Sequence, residues 1–238
     1  MNAALVTTML RAPSDVVRRC RDASDLRAIA IVSLVLIALG TGLFGAVLGA
    51  SRGGIQIAFA AVKLPIAVLA TLAVCVPAFH VLAAVSGRAW SLRSTVALML
   101  AAAARAALIL LALSPALWLA MDLGMHYHEV VFASAIAFGA SGLAALGVLA
   151  RAVSSGDARR EVDLTGLGTA VGFALVYLTV LGQTSWILRP YVVRPRLPTS
   201  EIPFVRARES SFADAVFTTS QSAFGMYRRE APYVSRSR

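Results

Sequence analysis

The chain has 238 residues, of which 58% are apolar and 14% charged, with a mean hydropathy of +0.77. An ordinary soluble domain is about 45–50% apolar and about 25% charged, so lipid rather than water is the solvent for most of this chain. The formal charge of +10 comes from 22 basic residues, nearly all arginine, in the N-terminal arm, the short connections and the C-terminal tail; with no aromatic residues interleaved as stacking platforms, that layout argues against a nucleic-acid partner and fits topology signals and anionic headgroups.

Residues 1–27 form a basic arm with Arg11, Arg18, Arg19, Arg21 and Arg27. Positions 14–27 read as a helix capped by Ser14 or Asp15, with Val16, Val17 and Cys20 on one face and arginines on the other, lying on the cytoplasmic membrane surface. The apolar stretch that follows is too long for the roughly 7–15-residue core of a signal peptide and reads as an uncleaved first span. Cys20 in the arm and Cys75 in an apolar run sit at different depths, which leaves neither a disulfide partner.

A hydrocarbon core of about 30 Å takes around 20 apolar residues as helix, the conformation that satisfies its own backbone in lipid. Five segments qualify, at 28–48, 64–85, 94–120, 130–150 and 167–188, and none alternates with the period of two that a barrel strand needs. The predicted fold class is therefore all-α, a polytopic transmembrane helix bundle of five spans over 28–188 with a tail over 189–238. The second span opens at Lys63-Leu64-Pro65, with proline in its first turn and Lys63 as an interfacial anchor. Pro77 within it leaves the Ala73 carbonyl without its donor, and Pro115, behind Ser114, is the natural kink of the long third run.

Lysine and arginine near the span ends favour the arm, the second connection (Arg88, Arg93) and the fourth (Arg151, Arg159, Arg160) over the first connection (Arg52, with Lys63 at its edge) and the third, which has none. This sets the N-terminus in the cytoplasm. Five spans then put the tail outside the inner (plasma) membrane, in discord with its nine arginines. Four prolines open the tail, and a capping-box-like start at Ser211 predicts a short helix near 211–224.

Few polar residues enter the spans. Arg105 falls near mid-membrane in the third, at a cost of at least about 2.5–3.5 kcal/mol, with no Asp or Glu inside any span to neutralise it. It either holds an anion or lipid headgroup, or caps carbonyls freed by Pro77 or Pro115, or snorkels to the cytoplasmic face; depth arithmetic favours the Ala73 carbonyl. His80 is a titratable group or a hydrogen-bonding link to a neighbouring helix, and Gln183 marks a span exit or bonds another helix. Gly45 with Gly49, and Gly168 with Gly172, have the small-residue spacing that lets helices approach, and Gly139 and Gly142 extend it to the fourth span. His126, His128, Glu129 and Asp122 in the third connection are metal-capable residue types, but no second ligand cluster completes a site, so no metal or cofactor is expected. No phosphate loop, zinc-protease helix, dinucleotide fingerprint or Ser-His-Asp set is present, and the chain is not expected to be an enzyme.

The series Lys63-x-Pro65, Thr71, Cys75-x-Pro77, Ser114-Pro115 and Trp186-x-Leu188-Arg189-Pro190 resembles an uncharacterised family of bacterial multi-span membrane proteins over about residues 28–190. The architecture is also similar to that of the Yip family, whose members bind Rab-type GTPases, although this chain has an arginine-rich arm where eukaryotic Yip proteins have an acidic or aromatic-rich one. The resemblance implies a five-span bundle and fixes no site. The expected role is that of a non-enzymatic organiser or accessory subunit engaging lipid or another membrane protein; the alternative is a small transporter or channel using the interior around His80 and Arg105.

Overall fold

The computed structural model describes residues 3–88, 90–125, 127–154, 164–188 and 204. The chain divides into a unit spanning Met1–Arg206 and a second spanning Ala207–Arg238; the second lies outside the described residues, and with it the helix expected near 211–224. Among the described residues there are helices and no strand: α1 (Ala3–Arg11), α2 (Pro13–Arg21), α3 (Leu26–Ala50), α4 (Ile55–Val85), α5 (Leu92–Asp122), α6 (Tyr127–Ser154) and α7 (Leu164–Ile187). Four of these, α3 to α6, are long and apolar enough to cross a membrane.

Their outward faces are as apolar as their inward ones. Leu34, Leu39 and Leu43 of α3, Val74 and Val81 of α4, Phe132 and Leu143 of α6, and Leu175 and Leu178 of α7 are all exposed. Apolar surface loses roughly 25 cal/mol per Å² when left in water, and patches this extensive belong against lipid or another protein. The structure is a membrane-embedded helical bundle by this criterion as well as by helix length.

α3 packs most extensively on α5 and α4, α5 also on α6, and α7 closes against α4 and α6. Close helix approach is made by glycine. A β-carbon built at Gly40 would stand 2.5 Å from the Ala107 carbonyl oxygen of α5, one at Gly49 would stand 2.5 Å from that of Gln56 on α4, and one at Gly45 would collide with the Ala60 carbonyl. Aromatic rings fill the wider gaps. Phe44 of α3 meets Phe138 of α6 edge-on at 5.4 Å, and Phe79 of α4 meets Phe173 of α7 at 4.8 Å.

The arm differs from the prediction in three respects. Pro13 splits it into two helices, because proline suits a first helical turn and ends whatever precedes it. The N-cap of α2 is Ala12, without a side-chain bond, rather than Ser14 or Asp15. The apolar face, Val16, Val17 and Cys20 with Leu5 and Met9 of α1, is buried against protein, where α2 packs on α5 and α6, instead of lying on lipid. That cover explains the run Ala101 to Ala104, buried throughout: with neighbours on every side, only small side chains fit.

α4 also departs from expectation. It starts at Ile55, nine residues ahead of the predicted start, so Pro65 lies in its interior rather than in its first turn. Helix continues through Pro65, Pro77 and Pro115 alike. Just before Pro115 the Ser114 hydroxyl donates to the Leu110 carbonyl at 2.9 Å, whereas the carbonyl that proline deprives of its backbone donor is that of Leu111.

Candidate functional site

Most hydroxyls inside the bundle are consumed by their own helices. Thr41 donates to the Ile37 carbonyl at 2.6 Å, Thr71 to Ala67 at 2.7 Å and Ser134 to Val130 at 2.6 Å. Back-bonding of this kind satisfies the side chain locally and leaves it little to offer a passing solute.

His80 makes the cross-helix link. Its Nδ1 lies 3.1 Å from the Thr95 hydroxyl of α5, and that hydroxyl itself donates to the Ser91 carbonyl at 3.1 Å. The Thr95 hydroxyl, able both to donate and to accept, stands at 3.1 Å from each of the two groups. Ser91 also caps α5, its hydroxyl accepting from the Ser94 amide at 3.1 Å. The chain from His80 through Thr95 to Ser91 thus ties the end of α4 to the start of α5.

Lys63 is fully buried, eight residues into α4 or about 12 Å from that helix's start at 1.5 Å per residue. Its ammonium lies 4.9 Å from the ring centre of Phe204 and 5.9 Å from that of Phe59, and the two rings meet edge-on at 5.2 Å. A desolvated cation against aromatic faces gains about 2 kcal/mol. Phe204 therefore stands against α4, a contact that no sequence spacing signals.

Arg105 is half-buried on α5, and its Nη1 is fully buried with no hydrogen-bond partner. The tie to the Ala73 carbonyl expected from the sequence is not made by this atom. Arg151 of α6 is exposed, and its Nη1 donates to the Gly147 carbonyl at 2.8 Å, so its guanidinium is turned one helical turn back along α6. Of the described carboxylates, Asp15 pairs with Arg18 at 3.2 Å and Asp25 with Arg19 at 3.9 Å, Asp22 follows α2 as its C-cap, and Asp122 and Glu129 stand at the α5–α6 turn.

The predicted packing glycines separate into two groups. Gly45 and Gly49 lie in the α3–α4 contact. A β-carbon at Gly139, Gly142, Gly168 or Gly172 would meet no described atom within 4 Å. Gln183 is half-buried on α7, and His126, together with Arg159, Arg160 and the tail arginines, lies outside the described residues.

These features define a class, a helical membrane-embedded protein with basic groups gathered at one end of the bundle. Beyond the class the comparisons add nothing: no family model, curated protein or solved structure matches the chain.

Proposed function

We propose that the chain is a five-span protein of the inner (plasma) membrane, with a cytoplasmic N-terminus and an extracytoplasmic C-terminus. In this reading it acts without catalysis, as an organiser or accessory subunit that engages anionic lipid or a membrane-protein partner through its basic end. The fifth span is α7, whose 24 residues reach about 36 Å. Orientation rests on the arginine imbalance between the two sets of connections.

The observation that carries the reading is the docked arm. Arg11, Arg18, Arg19, Arg21 and Arg27 are all exposed, while the apolar residues between them are buried in the bundle. A cationic surface is thus held in place by packing rather than trailing from a flexible tail. Each such charge gains about 1 kcal/mol near an anionic leaflet. The interior, filled by Phe44, Phe79 and Phe173 and by self-bonded hydroxyls, supports this reading over a transport path.

Cysteine labelling tests the topology. In a background with Cys20 and Cys75 replaced by alanine, an impermeant maleimide applied to intact cells should reach Ser237→Cys and spare Ala3→Cys. Labelling of both, or of Ala3→Cys alone, overturns the assignment. Purification in mild detergent followed by mass spectrometry tests the role, and recovery of neither partner nor anionic lipid counts against it.

A further inference from the structure

α7 has little packing along its own length. Among its described side chains only Phe173 is buried, while Leu175, Val176, Leu178 and Thr179 face outward, and a β-carbon at Gly168 or Gly172 would meet no described atom. Its firm contact is the one between Phe173 and Phe79 of α4, ring to ring at 4.8 Å. If each of α4 to α7 crosses the membrane in turn, α4 and α7 run antiparallel, and this ring pair sets their register. From Phe173 the helix continues about 21 Å to Ile187, and from Phe79 back to Lys63 is about 24 Å, at 1.5 Å per residue. α7 therefore ends at nearly the level of Lys63.

A clamp stands at that level. Phe59 and Lys63 are one turn apart on α4, and helical side chains lean toward the helix start, so the lysine stem is directed back over Phe59, with its ammonium 5.9 Å from the ring centre. Phe204, which follows α7 in the chain, supplies a second ring at 4.9 Å from the ammonium, edge-on to the first. Lys63 is fully buried, whereas Phe204 keeps 37% of its surface exposed. The cation is thus the fixed half of the contact and the Phe204 ring the removable half. In lipid an apolar side chain gains little by exchanging acyl chains for an apolar protein surface, while the attraction between a cation and a ring face strengthens as water is excluded. The charge, rather than the bulk of the ring, gives Phe204 its reason to stay.

Resting on the reading of α7 as the fifth span, we propose that Lys63 and Phe204 form a latch that holds the C-terminal end of α7 against α4, with Phe59 as its fixed jaw. Opening the latch loosens the α4–α7 seam from that end. Cys75 reports the opening, because it is fully buried one turn from Phe79 in the core that Phe173 and Tyr177 of α7 share.

The full-length protein, with Cys20 replaced by alanine so that Cys75 is the reporter, is treated with N-ethylmaleimide in mild detergent. In the latched protein Cys75 should react slowly. Phe204→Leu, which keeps an apolar side chain and loses the ring, should speed the reaction at least about tenfold, and so should Lys63→Met; Phe204→Trp and Lys63→Arg, which keep ring and charge, should stay within about twofold of the wild-type rate. A wild-type rate in Phe204→Leu, or equal acceleration in the leucine and tryptophan variants, overturns the proposal. Equal acceleration at Cys20, measured in a Cys75→Ala background, also overturns it, since the whole fold would then have loosened. Phe204 lies at the surface, so its variants keep the test decisive if Lys63→Met fails to fold. The readout does not depend on sidedness: failure of the latch leaves the labelling of Ser237→Cys and Ala3→Cys standing, and failure of the five-span reading shows in that labelling and not in the Phe204 series.

Discussion

Replacing Gly49 by alanine should destabilise the bundle, whereas the same change at Gly172 should not, although both glycines close a Gly-x-x-x-Gly spacing. At Gly49 the added carbon would sit 2.5 Å from the Gln56 oxygen, 2.7 Å from the Ile57 Cα and 2.9 Å from the Gln56 carbonyl carbon. All three are backbone atoms of α4, so no side chain can swing aside and the helices must part by more than about half an ångström. A radial gap of that size forfeits about a quarter to a half of each dispersion well along the contact, and overpacking of this kind costs about 1–3 kcal/mol. Against it stands the gain in helix propensity from glycine to alanine, about 0.8–1 kcal/mol. The net expectation for Gly49→Ala is a loss of up to about 2 kcal/mol. At Gly172 no described atom lies within 4 Å of the added carbon, and only the propensity gain is left. Thermal unfolding of the two variants and the wild type in the same detergent reads the difference. Equal shifts of the same sign would refute the reasoning, since then the α3–α4 approach would not depend on a missing side chain.

Ala23 ends α2 with a left-handed φ of 53°, while the Ser24 amide donates to the Arg19 carbonyl at 2.9 Å as in a Schellman cap; Ala23→Gly should therefore stabilise the arm by about 1 kcal/mol, read as added proteolytic resistance of residues before α3. Burial pushes the Cys20 thiol up to about 12 from its ordinary 9.0. The fold thus favours the neutral thiol, so arm docking keeps this contribution below pH 9 and loses it as pH rises toward 12; maleimide should leave Cys20 unmodified near pH 7.5, and rapid labelling there would contradict its burial. Thr95→Val removes the hydrogen-bond partner of His80 and should cost about 1–2 kcal/mol in thermal unfolding, with Thr95→Ser retaining most of the bond; a valine variant as stable as wild type would show the link to be idle.

Helical periodicity and apolar length made α3, α5 and α6 legible to within a few residues, because a lipid-solvated helix must be apolar along its whole length. The inner face of α2 was legible too, in Val16, Val17 and Cys20, but not what covers it: burial by α5 and α6 is a tertiary fact with no local signature. The predicted start of α4 fell at Leu64 because Pro65 fits a first turn well and Lys63 interrupts the apolar run ahead of it. Gln56 is buried where Gly49 of α3 approaches it, a contact made between helices. The burial of Lys63 was no more legible. Its aromatic neighbour Phe204 lies more than a hundred residues away in the chain, and nothing in either local sequence announces the pairing.

The surroundings of Arg105 show how the elements depend on one another. Taken alone, the third apolar run centres on this arginine, and the centre of a run is the natural guess for the centre of a bilayer. α5, however, has 31 residues and reaches about 46 Å, more than a hydrocarbon core of about 30 Å requires, so the middle of the helix does not mark the middle of a bilayer. Leu5, Met9, Val16, Val17 and Cys20 share one core with the alanine run 101–104, so the arm gives this part of α5 a protein environment, and Arg105 follows directly on the covered run. What surrounds Arg105 is therefore decided in residues 3–21 of the arm, and the third apolar run read by itself carries no trace of it.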